Sequence, residues 1–228
     1  MQVEEALAKL QSLKSEQTQK VLRRHGAGDN VYGVRSADLE RLRRRIKVDQ
    51  ALAEGLWQSG NTDARTLATM VADPARITSK VIDGWMKDVA FLRYPMLLDL
   101  FVRNVVSKSP LAQEKLATWL DSIDEWTARA GWVLLAALAN AAPAQRNDAE
   151  FDVYLARIER DIHTAKNRTK EAMNATLIAI GIRSEGMATK ATAVAKRIGK
   201  VEIEHGETSC KTPDAVAYIA KARARKEA

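Results

Sequence analysis

A chain of 228 residues, 46% hydrophobic and 29% charged, is long enough for a sizeable core and too apolar for extended disorder. Its 36 Lys and Arg outweigh 29 Asp and Glu, a formal charge of +7, which favours a phosphate-bearing partner but argues against a histone-like charge cloud. One cysteine, Cys210, excludes an internal disulfide framework and a multi-cysteine metal site, and cytoplasmic residence is the natural reading.

The elements read as helices throughout. Only 11 Gly and 5 Pro punctuate the chain, good helix formers dominate, and alternating runs rich in Val, Ile, Tyr and Thr are nearly absent. The longest apolar run, Trp132 to Ala139, has the length of a core helix and not of a membrane span. Met1-Gln2-Val3-Glu4-Glu5 lacks the basic and apolar regions of a signal peptide.

In chain order, residues 3–13 and 15–25 open as helices, with Gly26 and Gly28 as the stop. Val31 to Arg35 is a short extended connector. Ser36 reads as the N-cap of a helix whose apolar stripe is Leu39, Leu42 and Ile46. Asp49 caps the next helix, Gly60-Asn61 breaks it, and residues 62–72 form another that ends at Asp73-Pro74. Thr78 or Ser79 starts a helix through Lys87. Tyr94-Pro95 starts one to about Lys108, and Pro110 one to Leu120. Asp124 caps residues 125–140. Helices over 148–162, 166–182 and 185–197 follow. Residues 199–212 are irregular, and Thr212-Pro213-Asp214 reads as N-cap, first helical position and first-turn acid of a terminal helix.

About twelve helices joined by short links suggest antiparallel pairs. Three segments echo one another around Arg65, Arg129 and Lys170, which lie 64 and 41 positions apart. A HEAT-type repeat of about 40–47 residues fits the second gap and not the first, so the period is irregular. No linker divides the chain. The fold expected is all-α, with HEAT-like antiparallel helix-pair repeats forming a curved α-solenoid, one domain over residues 1–228 that closes with a loop and terminal helix from 199.

Phosphate loops, an HExxH motif and a GxSxG elbow are absent from the sequence, and His25, His163 and His205 lie far apart, so neither a metal nor a cofactor is expected. Cys210, with His205 five residues before it and Lys211 beside it, reads as an ordinary thiol before it reads as a nucleophile. The basic residues say more. Arg35, Arg41, Arg43, Arg44, Arg45 and Lys47 crowd thirteen positions, and further bases recur near helix ends. A solenoid would align these as a stripe for DNA phosphates, with Arg35, Arg43, Arg44, Lys47, Arg65, Arg103, Lys108, Lys170 and Lys211 as candidates. Asp99 sits mid-helix among Met96, Leu97, Leu98, Leu100, Phe101 and Val102. A carboxylate in that setting needs either a salt bridge, for which Arg129 is a candidate, or a catalytic task.

These segments together resemble the DNA alkylation repair family of HEAT-like repeat DNA glycosylases. The resemblance is carried by Tyr32-Gly33-Val34-Arg35 with Leu39, by Leu56-Trp57, Asn61 and Asp63-Ala64-Arg65, and by Met70-Val71-Ala72-Asp73-Pro74. It continues through Asp99, Lys108-Ser109-Pro110 with Ala112, Glu125-Trp126, Arg129-Ala130-Gly131, Ile180-Gly181 with Arg183, and His205-Gly206 with Thr208 and Cys210 to Ala215. It implies binding of double-stranded DNA by a monomer, associated with the nucleoid when bound. It also implies excision of cationic alkylated purines, N3-alkyladenine and N7-alkylguanine, with Asp99 as the catalytic carboxylate and Arg129 as the arginine beside it. Two aromatic positions of the family fall on Pro95 and near Ala175 here. Trp85, Trp126 and Trp132 are core residues first and replacements for those aromatics second. The alternatives are a non-catalytic binder of distorted or branched DNA and an α-solenoid scaffold for protein interaction.

Overall fold

A computed structural model describes residues 1–141 and 147–227, and among these it contains thirteen α-helices and no strand. The chain parts into two compact units, Met1–Gln113 and Glu114–Ala228.

The first unit holds α1 (Val3–Ser12), α2 (Glu16–Arg24), α3 (Ser36–Ile46), α4 (Gln50–Gln58), α5 (Thr62–Val71), α6 (Ser79–Leu92) and α7 (Pro95–Asn104), and α8 (Ala112–Trp119) crosses the boundary in sequence. Helix α5 packs between α3 and α7 and against α4, while α4 packs on α1 and α6 on α7. Odd-numbered helices thus form one row, as helix-pair repeats require. At the core, Trp57 of α4 stacks on Trp85 of α6 with centroids 4.0 Å apart and planes 3° from parallel. Phe101 of α7 tilts against both at 5.9 and 5.8 Å. Rings in this arrangement add stacking to their area burial.

The second unit holds α9 (Glu125–Ala139), α10 (Asp152–Asp161), α11 (Asn167–Arg183), α12 (Glu185–Ile198) and α13 (Ala215–Glu227). Helix α11 packs along α9 on one side and α13 on the other, with α12 behind it and α10 against α12. Two details bring α9 close to its neighbours. Gly131 lets the chain after α8 approach, since a Cβ there would stand 2.7 Å from the Leu120 amide nitrogen. Thr176 of α11 donates its hydroxyl to the Trp132 carbonyl at 2.8 Å. Arg183 caps the end of α9, donating through Nη1 to the Ala139 and Ala141 carbonyls at 2.9 and 3.1 Å.

Several boundaries differ from the reading of the sequence. The N-cap of α3 is Arg35, and Ser36 is the first helical residue, so no side-chain cap forms there. Helix α6 continues five residues past Lys87 and stops where Arg93 turns left-handed, at φ 57°. A 3-10 turn at Val106–Lys108 separates α7 from α8. The terminal helix is capped by Asp214, whose carboxylate accepts the Ala217 amide at 2.8 Å. Thr212, expected as that cap, is held by His205 Nε2 at 3.1 Å. In contrast, Asp49 and Asp124 cap α4 and α9 as expected, accepting the amides of Leu52 and Thr127 at 3.0 and 2.8 Å. Burial opposes the charge on Asp124, but the amide and hydroxyl of Thr127 outweigh it and keep its pKa below the usual carboxylate value.

Candidate nucleic-acid interface

Asp99 lies on α7, one turn beyond Pro95. Leu97, Leu98, Phe101 and Val102 turn into the core, while Asp99 and Leu100 are half-buried and Met96 and Arg103 are exposed. The apolar setting of Asp99 is a feature of the sequence string and not of space. On a helix, Met96, Asp99 and Arg103 fall on one outward stripe at i, i+3 and i+7. Tyr94, next to Pro95, is in the core at 2% exposure, and burial, with the Asp63 charge beside it, raises its hydroxyl pKa.

Arg129 is buried, at 4% exposure, on the first turns of α9. Its Nη1 donates to Glu171 Oε2 at 2.6 Å and to the Arg168 carbonyl at 3.2 Å, both of α11. Arg168 Nη1 also reaches Glu171 Oε2 at 3.2 Å, and His205 Nδ1 stands 3.9 Å from Glu171 Oε1. Glu171 therefore collects three basic side chains from α9, α11 and the 199–214 loop. The loop is further pinned by Asn167, whose side chain bonds the Glu204 carbonyl and amide at 2.8 Å each, and by Asn174, which donates to the Pro213 carbonyl at 3.0 Å. Glu125 takes the Arg168 amide at 2.7 Å and so caps α11 from another helix. The Glu125, Arg129 and His205 pieces of the sequence pattern thus meet around α11. Glu171, at their centre, escaped sequence reading because its partners are 42 and 34 positions away.

A second convergence lies in the first unit. Asp63, at the start of α5, accepts the amides of Tyr32, Gly33 and Val34 at 2.6, 3.0 and 3.0 Å. Burial raises its pKa, and the three amide bonds work against that rise. The Tyr32-Gly33-Val34-Arg35 pattern is thus a loop wound on a carboxylate, which sets the exposed Arg35 at the entry to α3.

The basic candidates divide by geometry. Arg43 forks onto Glu40 through Nε and Nη2 at 2.7 Å each, Arg44 Nε reaches the same carboxylate at 3.0 Å, and the two guanidinium groups hold the Glu40 pKa at about 2. Two cations share one acid, so α3 keeps a positive surface. Arg35, Lys47, Arg103, Lys108 and Lys211 are exposed, and Lys170 is half-buried. Arg65 is held by its neighbours: it donates to Asp88 at 3.1 Å and to the Trp57 carbonyl at 3.3 Å, and its guanidinium lies 5.3 Å above the Trp57 ring. Trp57 Nε1 also bonds Asp88, at 2.8 Å, so the three side chains form one knot.

The aromatic positions are equally definite. Pro95 is the first residue of α7, and Ala175 faces solvent on α11. Trp85, Trp126 and Trp132 are all buried. Among the described residues, no cluster of three His, Cys, Asp or Glu side chains has the geometry to hold a metal.

These rows of helix pairs define a HEAT-like repeat protein. The chain belongs to the DNA alkylation repair enzyme family, whose model matches residues 6–219. It is 34% identical over 220 residues to uncharacterized proteins of Listeria monocytogenes (Lmo0209) and Listeria innocua (Lin0241), covering 95% of this chain and of each relative. A solved structure, described as a new family of proteins related to the HEAT-like repeat DNA glycosylases with affinity for branched DNA structures, superposes with a TM-score of 0.89. It shares 29% identity, covering 99% of this chain and 95% of that one.

Proposed function

We propose that this chain binds double-stranded DNA, selects branched or distorted forms of it, and does not excise alkylated bases. The observation that carries the reading is the fate of the aromatic positions. Stabilising a cationic purine or an oxocarbenium-like sugar calls for exposed ring faces beside the carboxylate. Pro95 and Ala175 offer none, and Trp85, Trp126 and Trp132 are consumed in the core. What persists is charge: the Arg and Lys of α3, with Arg103, Lys108 and Lys211 at the surface. Cations with no ring face at the two aromatic positions of the family favour recognition by shape and phosphate spacing. The solved relative with affinity for branched DNA supports the same choice. In this reading the protein acts as a monomer in the cytoplasm, on the nucleoid.

One observation favours the glycosylase reading. Asp99 is half-exposed on the outward stripe of α7 and is not sealed in the core. The test is release of N7-methylguanine and N3-methyladenine from methylated duplex DNA, with Asp99→Asn alongside. The expected result is no release by either protein and DNA binding by Asp99→Asn as tight as wild type or tighter, because a negative charge is removed. Release by wild type that disappears in Asp99→Asn restores the glycosylase.

A further inference from the structure

The outward face of α6 takes no part in the aromatic core or in the basic surface of α3. Lys80, Gly84, Lys87 and Phe91 are all exposed. At i, i+4, i+7 and i+11 they fall within about 60° of one another around the helix. Phe91 ends the stripe at 91% exposure, a large ring with no polar handle left in solvent. Gly84 is the second oddity. Glycine inside a helix is unfavourable, and a Cβ built at this position meets nothing within 4 Å, so packing does not demand it. With no side chain at this exposed position, the helix backbone is open to close approach by something outside the fold. Asp83 borders the stripe and accepts the Ser79 hydroxyl at 3.3 Å, while Asp88 faces away, bound to Trp57 and Arg65.

We propose that this stripe grips one strand at a DNA branch point. Lys80 and Lys87 meet phosphates, Gly84 admits the sugar-phosphate backbone, and Phe91 stacks on a base face laid open where the branch interrupts stacking. Seven helical residues span about 10 Å, so Lys80 and Lys87 are far enough apart to reach separate phosphates of one strand. The occupant follows from the chemistry of the ring. Linear duplex keeps its bases stacked and offers Phe91 no face, whereas a branch point exposes one. The proposal rests on the branched-DNA reading and assigns it a specific contact.

The experiment compares a four-way junction with a linear duplex carrying the same arm sequences, using wild type, Phe91→Ala, Phe91→Leu, Phe91→Trp and Gly84→Gln. Phe91 is too exposed for its removal to unfold the protein, and circular dichroism checks this for each variant. Phe91→Ala and Phe91→Leu are expected to weaken junction binding about fivefold or more, the range of a missing base stack, and to leave duplex binding within about twofold. Phe91→Trp is expected to keep junction binding near wild type, and Gly84→Gln to weaken the junction more than the duplex. Wild-type preference for the junction with no effect of Phe91→Ala overturns this contact and leaves the branched-DNA reading standing. Weakening of equal size on both ligands also overturns it. Lack of any junction preference in wild type overturns the reading beneath it. A shift in oligomeric state by Phe91→Ala, with DNA binding unchanged, overturns it in favour of self-association.

Discussion

Gly84 and Gly131 are both glycines inside helices, yet the same substitution is expected to act on them in opposite directions. Gly84→Ala places a methyl in open space and is expected to stabilise the fold by about 0.5–1 kcal/mol, the usual gain of helix propensity. Gly131→Ala pushes a Cβ against the Leu120 amide, which is backbone and cannot step aside, and is expected to cost about 1–3 kcal/mol. Thermal unfolding of the two variants beside wild type checks both signs. Asp63→Ala strands the three amides of Tyr32, Gly33 and Val34 and is expected to cost about 3 kcal/mol or more, read by urea denaturation. None of this was visible residue by residue. Asp63 reads as a first-turn acid, and its distant partners lie about thirty positions earlier. Asp99 shows the converse: Leu97, Leu98, Phe101 and Val102 surround it in sequence, yet they turn into the core while it is only half-buried.

Helix ends were legible where the capping bond is local. Asp49 and Asp124 bond amides three residues on, a pattern the sequence contains in full. They were illegible where another element supplies the partner. Glu125 caps α11, Arg183 caps α9, and His205 takes the hydroxyl of Thr212, leaving Asp214 to cap α13. The Glu171 cluster is the same lesson in a functional setting. Glu171→Ala leaves the buried Arg129 without this carboxylate and is expected to cost about 3–5 kcal/mol, with faster proteolysis in the 199–214 loop that Glu171 helps to hold. Asp148 gives a pH signature. The Ser184 hydroxyl and the Arg183 guanidinium lower its pKa in the folded state, below the unfolded value of about 4. The stability it adds is therefore present above that unfolded value and is lost as pH falls through the folded one. Asp148→Asn is expected to flatten the acid limb of a stability–pH curve and to leave its shape unchanged from pH 6 to 8.

At the scale of the molecule, the helical class and the pairing of helices were legible in composition and spacing, and the repeat period was not. The gap of 64 between Arg65 and Arg129 holds two short helix pairs, α6 with α7 and α8 with α9. The 41 from Arg129 to Lys170 holds α10 and a longer connection. Unequal connections blur a period that the helix order keeps. The charge is unequal as well. The first unit carries 18 Lys and Arg against 13 Asp and Glu, and the second 18 against 16. The basic surface of α3 therefore sits on the more positive unit. Its neutralisation to Ala at Arg35, Arg44 and Lys47 is expected to weaken DNA binding and to reduce the dependence of log affinity on log salt by about 0.9 for each phosphate no longer neutralised. The most direct measurement is equilibrium binding of wild type to a four-way junction and to its linear duplex across a salt series. Tighter binding to the junction at every salt, with both affinities falling steeply as salt rises, is the expected result. Equal affinity for the two forms, or binding that ignores salt, would contradict the account.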